Sequence, residues 1–124
     1  LSIPKLVTEL ENIIIDALNH WEIIASRQTG HPGVYVGNKK IASIGLRVKN
    51  YCSYHGFSLN VDMDLTPWEQ IFPCGQNVNM TQIADQLKGK ISLPMVYTVL
   101  LEKFIHNLQF CYLKSIQSTY DHYA

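Results

Sequence analysis

Cysteine is scarce in this chain and badly spaced for metal or disulfide chemistry. Cys52, Cys74 and Cys111 are the three cysteines in 124 residues. They form no Cys-x-x-Cys pair, which argues against a zinc site and against a disulfide framework. A reducing, cytoplasmic setting fits that usage. Net charge is missing too: ten basic residues face ten acidic ones, for a formal charge of +0. The total therefore gives no pull toward nucleic acid or an anionic membrane. No apolar run is long enough to span a bilayer. The first residues lack the basic-then-apolar order of a secretory signal. Repeats, low-complexity stretches and linkers are absent, and His20, His31, His106 and His122 have no metal-ligand spacing. What is present is apolar: 47% hydrophobic against 16% charged residues, enough for a core and too little charge for disorder. One domain over residues 1–124 is expected.

Hydrophobic spacing supplies the elements. Ser2 and Pro4 read as a helix start. Leu6, Leu10, Ile13, Ile14, Ala17, Leu18 and Trp21 then recur at helical period, predicting a helix over residues 4–20. A short strand is expected over 22–26 and a loop over 27–32. Gly33-Val34-Tyr35-Val36 reads as a strand, Gly37-Asn38 as a hairpin turn, and residues 40–48 as the returning strand. In that strand Ala42, Ser43 and Gly45 are small and leave one face bare. A strand glycine marks either a bulge or a close approach by ligand or backbone, and both readings stay open. Phe57, Leu59, Val61 and Met63 alternate with Ser58, Asn60 and Asp62, predicting a half-buried strand. Residues 65–72 read as a turn carrying Trp68. Thr81 is expected to cap a short helix to Leu87, ended by Lys88-Gly89-Lys90. Ser92 and Pro94 open a longer helix through Val96, Val99, Leu100, Phe104, Leu108 and Cys111. Interspersed helices and strands around one sheet make the class α/β (α+β), a mixed β-sheet flanked by helices.

Candidate chemistry centres on Cys74, in Pro73-Cys74-Gly75. A free thiol titrates near ~8.5 and attacks only as thiolate. A depression of about 1.5 units, roughly 2 kcal/mol, makes half of it thiolate at neutral pH. One ammonium in a partly dry pocket supplies that. Lys40 is the proposed partner, while Lys39 points to the other strand face. A cysteine is more often an inert buried hydrophobe, and a lysine beside a turn is more often a surface cation. His55, before Gly56, is the rival base, although a histidine there more often serves packing. Cys52 and Cys111 read as structural. Asp62 and Asp64 read as solvated carboxylates. Lys39, Lys40, Arg47 and Lys49 form either a solvated hairpin rim or a docking patch for an acidic partner.

Four ordered segments carry a resemblance: residues 40–48 (Lys-Ile-Ala-Ser-Ile-Gly-Leu-Arg-Val), residues 53–61 (Ser-Tyr-His-Gly-Phe-Ser-Leu-Asn-Val), Asp64-Leu-Thr-Pro67, and Ile71-Phe-Pro-Cys-Gly75. With Gly33-Val-Tyr-Val36 before them, they resemble the lipoyl(octanoyl) transferase family over residues 32–81. The resemblance implies a fold like the biotin and lipoate protein ligase catalytic domain. It implies that octanoyl moves from acyl carrier protein to a Cys74 thioester, then to a lysine of a lipoyl carrier domain. Such carriers belong to the 2-oxoacid dehydrogenases and the glycine cleavage H protein. Lys40 would lower the thiol's pKa and take a proton from the incoming amine. Ser43, Ile44, Gly45, Gly56, Phe57 and Ser58 match positions lining the acyl site. No cofactor or metal is implied, because thioester-to-amide transfer is downhill without ATP. An ATP-dependent ligase is disfavoured by Cys74 and by the lack of a Gly-rich phosphate loop. The family carries a further N-terminal Gly/Thr/His-rich segment that builds much of the acyl pocket. The chain is therefore expected to be the C-terminal part of the catalytic domain, with weak or no activity in isolation. A non-catalytic relative serving as a binding or scaffold domain is the alternative.

Overall fold

A computed structural model describes residues 3–45, 48–49, 52–53, 56–65 and 79–107. Helix α1 spans Ile3–Asn19. Its buried stripe is Ile13, Ile14, Ala17 and Leu18, the spacing that puts side chains on one helical face. The helix does not run into a strand at residue 22, as the sequence suggested. Glu22 takes φ +60, its N–H donates to the Asn19 carbonyl at 3.0 Å, and the Ile23 N–H donates back to the Leu18 carbonyl at 3.1 Å. That left-handed ending satisfies helix-terminal carbonyls and folds Ile23 onto the core.

The first strand is displaced accordingly. β1 is Ser26–Gln28 and β2 is His31–Val36, so most of the expected 27–32 loop is strand around a tight turn. β3 is Lys39–Ile44, shorter than the 40–48 expected. β4 (Val48–Lys49) and β5 (Cys52–Ser53) form a separate antiparallel ladder. β6 is Phe57–Leu59 and stops before Met63, because Asn60 and Val61 give their carbonyls to Ile83 and Ala84. The main sheet has four strands in the order β1-β2-β3-β6, all paired antiparallel. Its parallel element is an isolated bridge between Lys40 and Met80. Gly37 turns the β2–β3 hairpin at φ +60, a conformation glycine adopts at no steric cost.

Helix α2 spans Ile83–Leu87. Gln82, rather than Thr81, stands at its N-cap and makes no side-chain cap bond. The Gln82 amide instead accepts from the Met63 N–H and donates to Asp85 at 3.1 Å. Residues 93–107 form a further helix, entered with Ser92 Oγ accepting from the Met95 N–H at 3.4 Å. The core cluster joins Ile14 and Leu18 of α1, Val34, Ile41 and Ala42 of the sheet, Ile83 of α2 and Val96 of the 93–107 helix. Burying each of the Val, Leu and Ile side chains among them contributes about 1.5–3 kcal/mol.

Candidate active site

A β-bulge decides which side chains share a face. Val34 faces Ala42, Tyr35 faces Lys40 and Val36 faces Lys39, so Ile41 has no partner on β2. Strict alternation would put Lys40 with Ala42 and Ile44. The extra residue breaks that parity. Ile41 and Ala42 both join the core, and Val34, Val36, Ile44, Phe57 and Leu59 pack there as well. Tyr35, Lys40 and Ser43 are left on the opposite face, and Ser58 joins them because it pairs with Ser43. The small-residue face expected from Ala42, Ser43 and Gly45 is thus made by Ser43 and Gly45, while Ala42 turns inward.

Lys40 sits on that second face at 5% exposure, whereas its neighbour Lys39 is exposed. Lysine is rarely buried to this degree. Its side chain lies against Gly33. An ideal Cβ built on Gly33 would lie 2.7 Å from Lys40 Cε, 2.8 Å from the Ala42 carbonyl oxygen and 3.4 Å from Lys40 Nζ. The lysine stem therefore lies across the bare Cα of Gly33. Gly33 itself has φ +139, a region L side chains rarely adopt. Its N–H donates to Glu11 Oε2 of α1 at 3.0 Å, and Glu11 is 5% exposed.

The backbone of Lys40 is clipped from the other side. Its N–H donates to the Asn79 carbonyl and its carbonyl accepts from the Thr81 N–H, each at 2.8 Å. Residues 79–81 thus occupy the lane beyond the end of β6, where Asn60 is the last residue bonded to β3. Asn60, buried, donates its side-chain amide to the Thr81 carbonyl at 3.1 Å. Thr81 Oγ1 accepts from Gln86 at 2.9 Å.

The six expected acyl-site residues form the far end of one ladder. Ser43 pairs with Ser58 and Ile44 with Phe57, and the Gly45 N–H donates to the Gly56 carbonyl at 2.8 Å. Ser43 and Ser58 share the Lys40 face. Ile44 and Phe57 direct their side chains to the core side, where Phe57 stacks on Phe104 with centroids 5.6 Å apart. Phe57, Leu59 and Val61 line a cavity of about 270 Å³ with Leu93, Val96 and Leu100. A larger cavity, about 470 Å³, lies between α1 and the β1–β2 turn, lined by Val7, Glu11, Arg27 and His31 among others. Cys74 lies outside the described residues, as do His55, Arg47, Trp68 and Cys111. Among the described residues no group of three or more His, Cys, Asp or Glu could hold a metal ion. Among them, too, no helix is long and apolar enough to cross a membrane.

Glu11, Gly33 and Asn60 were not among the site residues expected from the sequence. Glu11 carried a signal: it lies three residues before Ile14 and seven before Leu18, so it is a carboxylate inside the apolar stripe. Asn60 looked like the polar half of an alternating strand and gave none.

The profile of the lipoyl protein ligase A/B catalytic domain matches residues 1–105. An octanoyltransferase of Legionella pneumophila (strain Corby) is 58% identical over 85 residues, covering 68% of this chain and 43% of that protein. An octanoyltransferase of Vibrio cholerae serotype O1 (strain El Tor Inaba N16961) is 37% identical over 123 residues, covering 98% and 56%. The chain spans about half the length of the curated relatives it matches. Among solved structures, lipoate-protein ligase A bound with ATP superposes with TM-score 0.73 at 13% identity, over 88% of this chain and 47% of that one. The apo biotin protein ligase of Aquifex aeolicus gives 0.69 at 21% identity, over 85% and 45%. At those identities the likeness speaks for the fold, an antiparallel sheet with flanking helices.

Proposed function

The chain belongs to the lipoyl protein ligase A/B catalytic domain family, and on that premise we propose that it is the part of an octanoyltransferase that carries the acyl-transfer pair, Cys74 and Lys40. The donor is octanoyl-acyl carrier protein. The Cys74 thiolate attacks the thioester carbonyl, a new carbon–sulfur bond forms, and the carrier's thiolate leaves. The Lys40 ammonium protonates the departing carrier thiolate and is left neutral. The ε-amine of a lipoyl-domain lysine then attacks the acyl-enzyme. When its carbon–nitrogen bond forms and the bond to Cys74 breaks, Lys40 takes the amine's surplus proton, which restores the ammonium–thiolate pair. The product is an amide, so the second step runs downhill and consumes no nucleotide. Acceptors are the lipoyl domains of 2-oxoacid dehydrogenases and the glycine cleavage H protein, which places the reaction in lipoate biosynthesis. Ser43, Gly45, Gly56 and Ser58 offer the acyl chain a low surface beside Lys40, with Ile44 and Phe57 contributing backbone there.

The observation that carries this reading is the setting of Lys40. It is a lysine at 5% exposure, laid over a glycine and clipped through its backbone to Asn79 and Thr81. Asn79 is the fifth residue after Cys74, and five residues reach at most about 18 Å. That is the covalent limit on how far residue 74 can stand from the clip. An ammonium near a thiol favours the thiolate, the form that attacks. The test is intact-mass measurement after incubation with octanoyl-acyl carrier protein. One octanoyl adduct is expected, lost in Cys74→Ser and kept in Cys52→Ser. No adduct in the full-length protein overturns the reading and leaves a binding or scaffold role, and an adduct that survives in Cys74→Ser removes Cys74 from the reaction.

A further inference from the structure

We infer that Glu11 is a positioning residue for the transfer reaction: from α1 it fixes the backbone of Gly33, and through that glycine it sets where the Lys40 ammonium stands. This rests on the reading of Lys40 as the amine that serves Cys74. The chain of contacts is short. Glu11 is a carboxylate buried to 5% exposure in the stripe that otherwise packs the core. A buried carboxylate is costly unless its oxygens are bonded, and here Oε2 accepts from the Gly33 N–H at 3.0 Å. Gly33 stands at φ +139, a conformation open to glycine, and the bond to Oε2 selects which of the conformations open to that glycine its peptide takes. Gly33 in turn forms the floor under the lysine stem. The 2.7 Å from its virtual Cβ to Lys40 Cε leaves no room for any side chain, and the 2.8 Å to the Ala42 carbonyl means backbone would have to move. If the Gly33 peptide rotates, the floor tilts and the end of the lysine moves with it. Glu11 touches no reacting atom in this scheme. It acts through Gly33 on Lys40.

The experiment is the rate at which iodoacetamide alkylates Cys74 at neutral pH, read by peptide mass in a Cys52→Ser background, with thermal melts to confirm folding. Lys40→Ala is expected to slow alkylation about tenfold, as one unit of thiol pKa implies. Glu11→Leu should slow it comparably, and Glu11→Gln, which keeps an oxygen acceptor, should label like the parent. Combined with Lys40→Ala, Glu11→Leu should add nothing, since the two act on one group. Glu11→Asp, retracted by one methylene but still charged, supplies the same test where leucine is not accommodated, and its rate should fall between parent and Lys40→Ala. Glu11→Leu and Glu11→Asp both labelling at the parent rate, while Lys40→Ala is slowed, overturns the inference alone. So does a Glu11 effect that persists undiminished without the lysine, or a glutamine variant as slow as leucine. Unchanged labelling in Lys40→Ala removes the acyl-transfer role of the lysine, and this inference with it.

Discussion

Replacing Asn60 by alanine tests how the segment beside Lys40 is held. Asn60 is 8% exposed and Thr81 3%, and the Asn60 side-chain amide donates to the Thr81 carbonyl at 3.1 Å. The backbone of Asn60 donates to the Ile41 carbonyl at 2.9 Å and accepts from the Ile83 N–H at 3.1 Å, and alanine keeps both bonds. The substitution therefore isolates one amide. It leaves the Thr81 carbonyl buried without that donor, a loss of about 1–3 kcal/mol. For a chain of this size that corresponds to a fall in melting temperature of roughly 4–12 °C. Asn60→Asp should be worse than alanine, because it sets an oxygen and a buried charge against the same carbonyl. Because the Thr81 N–H is bonded to the Lys40 carbonyl at 2.8 Å, the alanine variant should also label more slowly at Cys74. Differential scanning calorimetry and alkylation kinetics read the two effects. An alanine variant melting with the parent, or an aspartate variant more stable than alanine, refutes the account of this clip.

Other substitutions probe the core and the helix end. Ile14 is fully buried at 0% exposure, so Ile14→Ala should cost about 2–5 kcal/mol and Ile14→Val about 0.5–1.5 kcal/mol in denaturant unfolding. Equal losses would mean that the site is not tightly packed. Glu22 ends α1 at φ +60 on the surface, where a non-glycine residue is strained. Glu22→Gly should therefore raise stability by about 0.5–1 kcal/mol, and a lower unfolding midpoint would contradict the left-handed ending.

How much of this was legible varies by element. The residue spacing in α1 predicted both its extent and its buried stripe, and Gly37 marked the hairpin, because helical period and turn chemistry are local properties. The strand expected over residues 22–26 failed for a reason that lies across a helix end. Glu22 has no sequence signature for a left-handed conformation, and what stabilises it is the return bond from Ile23 to Leu18. The third strand was read too long because nothing local shows where its partner β6 lets go. Lys40 could be singled out beside its turn. Its burial, its bed on Gly33 and its clip to residues 79–81 could not.

The order of residues along the chain thus determined which segments are helical, which alternate, and that a lysine and a cysteine stand in segments resembling a transferase. Tertiary structure decided the rest: the bulge at Ile41 that moves Lys40 onto the face of Ser43, and the carboxylate that reaches Gly33 from α1. The physical reason is range. Periodicity and turn preference act over a few neighbouring residues, whereas strand register and a hydrogen bond between residues 11 and 33 exist only once distant parts of the chain have packed together.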